Sequence, residues 1–300
     1  MNRKRLLAIC AMVFTTAVWG VTFEMVQEAL SDAPPFIFAG LRFGIGFLLG
    51  FLYLNKKVLN VTALEFHGGI WCGVVLCAGY AFQNFGLWEE SLIYIGSNSS
   101  TSAFITSVSV ILVPTFLYLS GLQQINNRLW IIVALAMIGL FVLLNPFNSK
   151  IVGGDIITFG CAISFAIHII LQDIYLKKGV QLVRFFMLQV FFVSIFSFIL
   201  SLLFEGSSIM TLEIFTFDVM FALFITGVLA TFIAFILMLW AQKILSATET
   251  GILLSLEPLF AALFSVFFAG DSLGLSGWLG GMIIIISVMG SGFFLSLNEK

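Results

Sequence analysis

The chain has 300 residues, 61% of them hydrophobic and only 9% charged, with a net charge of -2 and a mean hydropathy of +1.14. A typical soluble domain is about 25% charged, and a soluble protein of this length would expose a polar surface that this composition cannot supply. A water-soluble enzyme, a disordered chain and a nucleic-acid binder are thereby set aside, and 35 phenylalanines suit a surface that faces lipid.

A helix that crosses a bilayer needs about 20 mostly apolar residues. Ten such stretches are predicted, at roughly 6–26, 36–54, 67–87, 97–119, 129–146, 153–175, 184–204, 218–241, 246–269 and 276–297. The first follows Arg3-Lys4-Arg5 as a signal peptide would, but its apolar run is long and no small-x-small cleavage site follows, so it is read as retained. Asp32-Ala33-Pro34-Pro35 breaks the chain before the second, because proline cannot continue a helix. The stretches lack the polar/apolar alternation of barrel strands, so an all-α integral membrane bundle is expected. The short connections leave no room for a separate soluble domain.

The connections are not electrically alike. Arg3, Lys4, Arg5, Lys56, Lys57, Arg128, Lys177, Lys178, Arg184, Lys243 and Lys300 fall on one side, with only Lys150 on the other. Glu28, Asp32, Glu89, Glu90, Asp155, Glu205, Glu213, Asp218 and Asp271 fall on the side of Lys150. Arg and Lys stay preferentially in the cytoplasm, so the expectation is a multi-pass protein of the cell membrane with both termini cytoplasmic. Trp88, Trp130, Trp240 and Trp278 lie near span ends, where interface aromatics belong.

Cys10, Cys72, Cys77 and Cys161 all lie in apolar spans without a Cys-x-x-Cys pair, and His67 and His168 are too few for a zinc cluster. No metal, cofactor or disulfide framework is expected. The chain has no His-Glu-x-x-His, no Gly-x-Ser-x-Gly and no phosphate-binding loop. Gly153-Gly154-Asp155 resembles an intramembrane aspartyl site but has no partner Asp motif. An enzyme is therefore not expected.

The halves resemble each other at a shift of about 147 residues. Phe38-Ala39-Gly40-Leu41-Arg42 lies over Phe185-Phe186-Met187-Leu188-Gln189, the run Ser97 to Ser107 over Leu245 to Ser255, and Trp130 over Trp278. The shift covers five spans, an odd number, so the second unit would enter the membrane from the opposite side. Two inverted five-helix repeats, 1–146 and 147–300, are the expected organisation, and such pairs suit alternating access around a central site.

The carboxy-terminal run Ala247-Thr248-Glu249-Thr250-Gly251-Ile252-Leu253-Leu254-Ser255-Leu256-Glu257-Pro258-Leu259-Phe260, then Gly270-Asp271 and Trp278-Leu279-Gly280, resembles the EamA-like branch of the drug/metabolite transporter superfamily. Ala17-Val18-Trp19-Gly20, Arg42, Ala103 to Ser107 and Val113-Pro114 carry the likeness through the first half. Asp271 stands where the family has Glu, Ser287 where a Gly is usual, and Ser120-Gly121-Leu122 where a Gly-Glu is expected. The resemblance implies ten helices in two inverted repeats and transport of a small metabolite, often outward. The motifs concern packing, so they name no substrate.

Ionisable side chains inside a bilayer are costly and tend to face a cavity or a partner. The reading singles out Glu24, Arg42, His168 and Glu257. Glu24 and Arg42 lie at similar depth on adjacent spans, so they either pair or leave Arg42's fork for a substrate carboxylate or phosphate. Glu257 precedes Pro258 near the middle of its span, where proline frees backbone groups. It is the expected site of proton coupling or of a substrate amine, with a protonated, helix-bonded carboxyl as the alternative. His168 titrates near neutral pH in water, although a buried His more often serves packing. Trp19, Tyr80, Asn84, Ser107 and Gln189 are uncharged candidates: Tyr80 and Asn84 share a helix face, and Gln189 takes the place of Arg42 in the second half. For the hydroxyl and amide residues, helix packing is the competing role. The expectation is a secondary transporter of an amino acid or similar metabolite, exporting and coupled to protons; an uncoupled facilitator of the same fold is the alternative, and a scaffold a weaker one.

Overall fold

The computed structural model describes residues 3–55, 60–87, 96–97, 99–146, 151–206, 215–270 and 272–297. Lys56, Lys57, Trp88, Glu89, Glu90, Asn98, Lys150, Glu213, Asp271 and Lys300, all used above, lie outside the described residues. The described residues contain no strand and form ten helices long and apolar enough to span a membrane. These are α1 Arg3–Asp32, α2 Pro35–Leu54, α3 Ala63–Leu87, α4 Thr101–Leu119, α5 Asn127–Leu144, α6 Gly153–Lys177, α7 Leu182–Phe204, α8 Phe217–Gln242, α9 Ala247–Phe268 and α10 Gly274–Leu297. The protein is a multi-pass membrane protein, and every expected stretch meets one helix.

The helix ends follow from local chemistry. α1 runs on to Asp32 because Pro34-Pro35, not polarity, stops it. α3 starts earlier than hydropathy alone predicts, since Thr62 and Glu65 form a reciprocal cap: Glu65 N–H donates to Thr62 Oγ1 at 3.2 Å and Thr62 N–H to Glu65 Oε2 at 2.9 Å. Ser246 and Glu249 do the same for α9, and Thr216, Asn126 and Gln181 cap α8, α5 and α7. Caps of this kind contribute about 1 kcal/mol each.

In lipid, helix association relies on close packing and on polar contacts. α2 packs on α7 and α8, α5 on α10, α3 on α6 and α7, α1 on α8 and α9, and α4 on α6 and α9. Several crossings are close enough to require glycine. A Cβ on Gly280 of α10 would stand 2.4 Å from the Leu143 nitrogen of α5, and one on Gly20 of α1 would stand 2.6 Å from the Glu257 carbonyl oxygen of α9. Phe43, Phe185, Phe186, Leu140 and Leu239 are fully enclosed in the interior.

Consecutive spans reverse direction, so the bundle has a terminal end, where α1 begins and α10 finishes, and a loop end, where α1 turns into α2. At the terminal end Arg5 reaches Glu249, and Arg184 grips Glu65 with Nε on Oε2 at 2.9 Å and Nη2 on Oε1 at 2.8 Å. At the loop end Ser97 Oγ donates to Asp155 Oδ1 at 2.5 Å, and Glu205 accepts the N–H groups of Phe36 and Ile37 that begin α2, at 2.5 and 3.0 Å.

Three helices depart from regular winding. α4 is interrupted at Val108 and α9 at Ser255, each following or containing a serine that bonds back to its own helix: Ser107 Oγ to Ala103 O at 2.7 Å and Ser255 Oγ to Ile252 O at 2.6 Å. Pro258 has no N–H to offer the carbonyl of Leu254, which is where the α9 interruption falls. α8 widens into π turns over Thr226–Ile233, and α9 over Ser265–Ala269. π segments occur disproportionately at functional sites.

Candidate transport site

The interruptions of α4 and α9 meet at one central cavity of about 100 Å3, to which α8 adds Phe235 and Met238 just past its π segment. Its polar wall comprises Arg42, Tyr80, Asn84, Ser107, His168 and Glu257, with apolar ground supplied by Trp19, Phe23, Leu76, Phe165 and Phe235. The sequence thus scatters these side chains over α1, α2, α3, α4, α6, α8 and α9, and the fold returns them to one place.

Arg42 is the cation of the site and is buried. Its Nε donates to Thr231 Oγ1 at 3.0 Å, in the π segment of α8, and its Cζ lies 5.2 Å from the centre of the Tyr80 ring. That stacking and that single bond hold the guanidinium while leaving further N–H groups for a ligand. Glu257 is the anion, half-buried on the same wall, and its charge interacts with that of Arg42. Tyr80 is wedged edge-on between Phe43 and Phe165, at 4.9 and 5.3 Å between ring centres. Asn84 Nδ2 donates weakly to the Pro35 carbonyl at 3.4 Å. Trp19 uses its indole N–H on Ala230 O at 2.7 Å and rests on Phe235 at 5.0 Å. The π turn of α8 releases that carbonyl from regular helix bonding, so one irregularity positions both Trp19 and Arg42.

Seven of the nine residues singled out from sequence, Trp19, Arg42, Tyr80, Asn84, Ser107, His168 and Glu257, line this cavity. Two do not. Glu24 is not the partner of Arg42: it is exposed and lines a second cavity of about 500 Å3 with Gln27, Leu143, Ser265, Ser272 and Leu273. The two side chains lie at similar depth, but α1 directs Glu24 toward α5, α9 and α10, while α2 directs Arg42 toward α8. Gln189 lies one layer behind the wall, where its Oε1 meets His168 Nε2 at 2.9 Å. The second cavity sits at the loop end and adjoins the first through Phe23, Ala103, Pro258 and Ala261, so the site is approached from that end.

Sequence reasoning missed Thr22, Gln83, Thr106 and Ser109 in the wall and Thr231 behind Arg42. Gln83 and Thr106 each adjoin a residue that was chosen, and Thr22 follows Trp19 by three on the same face of α1, a signal that was available. Glu65 and Glu249 were also passed over, although both close a Ser/Thr-x-x-Glu capping box.

The EamA-like transporter family matches residues 6–145 and again residues 152–293. The chain is 31% identical over 286 residues to an uncharacterized transporter of Archaeoglobus fulgidus, covering 95% of this chain and 86% of that protein. It is 21% identical over 298 residues to the uncharacterized transporter YoaV of Bacillus subtilis, covering 96% and 97%. A solved crystal structure with 16% identity superposes with a TM-score of 0.77 over 96% of this chain and 98% of that one, which is a likeness of fold.

Proposed function

The chain belongs to the EamA-like transporter family, and from that premise we propose that it carries a small zwitterion, an amino acid with an apolar side chain, across the cell membrane by alternating access. The transporter class follows from the family; the substrate and the mechanism are read from the site. The observation that carries the reading is that Arg42 and Glu257, opposite in charge, share one cavity whose remaining wall combines neutral polar groups with aromatic and aliphatic ones. Arg42 takes the substrate carboxylate through its fork. Glu257 takes the ammonium, or a proton when the site is empty, and Leu76, Phe165 and Phe235 receive the side chain.

The helix packing supports two inverted units, 1–146 and 147–300. Exchanging each helix for the one five places along carries α2 on α7 and α5 on α10 into themselves, α1 on α8 into α6 on α3, and α1 on α9 into α6 on α4. The interruptions at Val108 and Ser255 fall within one residue of the pairing of Ser107 with Ser255 in the sequence. Two such units exchange roles when access passes from the loop end to the terminal end. Arg and Lys gather in the connections of the terminal end, which supports a reading with both termini cytoplasmic, the loop end facing outward and export as the expected direction.

The test is flux of a labelled amino-acid mixture through liposomes containing the purified chain, with and without an imposed pH gradient. Flux of apolar amino acids that follows the gradient, and loses that dependence in Glu257→Gln, supports the reading. Flux indifferent to pH in both proteins removes the proton from the mechanism, and no flux of any amino acid rejects the substrate class.

A further inference from the structure

His168 is held from behind the cavity wall. Its Nε2 lies 2.9 Å from Gln189 Oε1, and that oxygen also accepts Gln172 Nε2–H at 3.0 Å. All three side chains are buried, with 2%, 1% and 0% exposure for His168, Gln189 and Gln172. The amide oxygen has no hydrogen to give, so the proton of this contact sits on His168 Nε2. In the neutral ring the other nitrogen is then an acceptor. His168 lines the central cavity with its Nε2 turned to α7, so Nδ1 is the polar atom that the ring offers to a ligand.

The arrangement is not one that stability alone would select. Gln172 Oε1 and Gln189 Nε2, a complementary acceptor and donor, are both buried without a partner. Closing the two amides on each other would satisfy them and release the histidine. Buried polar atoms left unmet are costly, and what the structure retains instead is a fixed imidazole.

Resting on the zwitterion reading, we propose that Gln189 and Gln172 are positioning residues which set His168 as a neutral hydrogen-bond acceptor, and that His168 Nδ1 and the Glu257 carboxylate together select a primary ammonium over a fully N-methylated one. A primary ammonium has three N–H groups, enough for Glu257 and His168 at once. A trimethylated nitrogen keeps its charge but has none, so it leaves Nδ1 unmet inside a closed site. A site built to bond an N–H rejects the analogue that lacks it for this reason.

The test uses the full chain in liposomes and counterflow of labelled L-leucine, with L-leucine, N-methyl-L-leucine and N,N,N-trimethyl-L-leucine as competitors. The wild type should prefer leucine over the trimethyl compound by about tenfold or more. His168→Asn keeps a polar atom near the place of Nδ1, and His168→Gln keeps one near the place of Nε2. The first should retain the preference and the second should lose it. Gln189→Leu, which frees the ring, should lower the preference while leucine still exchanges. If the three variants lower the flux of all compounds alike and leave the preference intact, His168 and Gln189 serve packing only and the proposal is overturned. Equal competition by the trimethyl compound in the wild type overturns it while leaving the zwitterion reading in place. No leucine counterflow in the wild type overturns both.

Discussion

At the terminal end of the bundle, Arg5 of α1 meets Glu249 of α9 and Arg184 of α7 grips Glu65 of α3, so each contact joins two helices by opposite charges. At the loop end, Asp155 of α6 takes the hydroxyl of Ser97 before α4, and Glu205 after α7 takes backbone N–H groups of α2. The carboxylates are alike in position, each at or near a helix N-terminus, but their partners differ in strength. All are charge-assisted bonds, but a contact between two ions adds the mutual attraction of opposite charges. The cavities follow the same division: the second cavity and the approach to the central site lie at the loop end. With the proposed alternating access, the end where ion pairs join helices is read as the shut one, and the loop end, where Asp155 and Glu205 meet neutral donors among the described residues, as the one through which the site is reached.

The largest expected effect comes from breaking the shut end. A buried ion pair gives little net stability, but removing one partner strands the other. Glu249→Gln preserves the helix cap, since Gln serves at that capping position, and removes the Glu249 charge from beside the buried Arg5. The expected cost is about 3–5 kcal/mol for the terminal end, read as faster labelling from that side of a cysteine placed in the cavity wall. Unchanged labelling would mean that the pair does not hold the end.

Arg42→Gln leaves both ends as they are and removes the cation between them. Amino-acid flux should fall by about 10- to 100-fold, the range for a lost charge-assisted bond to substrate, while the thermal midpoint in detergent changes little. A loss of flux matched by a loss of folded protein would assign Arg42 to structure instead.

A smaller change is expected from Ser97→Ala at the loop end. It removes one hydroxyl from Asp155 at a cost of about 1 kcal/mol, and hydrogen exchange at the start of α6 should rise without a change in terminal-end labelling. Equal changes at both ends would erase the distinction drawn here.

The weakest effect concerns pH. Burial raises Glu205 above its ordinary value of 4.5, against the bonds from Ser201, Phe36 and Ile37 that favour its charged form. A carboxyl with a raised pKa in the folded protein holds its proton more tightly there than in the unfolded chain. Its contribution is therefore fully present at low pH and is lost as pH climbs from about 4.5 through the raised value. The thermal midpoint of Glu205→Gln should depend less on pH across that window than that of the wild type; an identical dependence would exclude Glu205 as its source.

The spans were legible because a bilayer imposes a length and an apolarity that no other environment requires. Their ends were less so. Hydropathy stops at a charge, so Glu65 fell outside its span, and Asp155 at a span edge counted with the connections, although each is a buried cap of its helix. The candidate site was legible in Arg42, His168 and Glu257 because intramembrane charge is rare. Its arrangement was not. Depth can be counted along a sequence, but the direction a helix turns a side chain depends on neighbours, which is why Glu24 and Arg42 looked paired and are not. The π turn of α8 over Thr226–Ile233 was invisible: apart from Gly227 it reads as ordinary apolar helix, yet it supplies Ala230 O to Trp19 and Thr231 to Arg42.

The most direct test of the account is the side from which the central site is reached. Ala103 lines both cavities, so Ala103→Cys, in a chain whose exposed Cys10 is replaced by serine, reports on the passage between them. With a membrane-impermeant thiol reagent and no substrate, labelling should be faster from the loop end than from the terminal end, and added L-leucine should slow it. Equal or faster labelling from the terminal end, or labelling that leucine leaves untouched, would contradict the account.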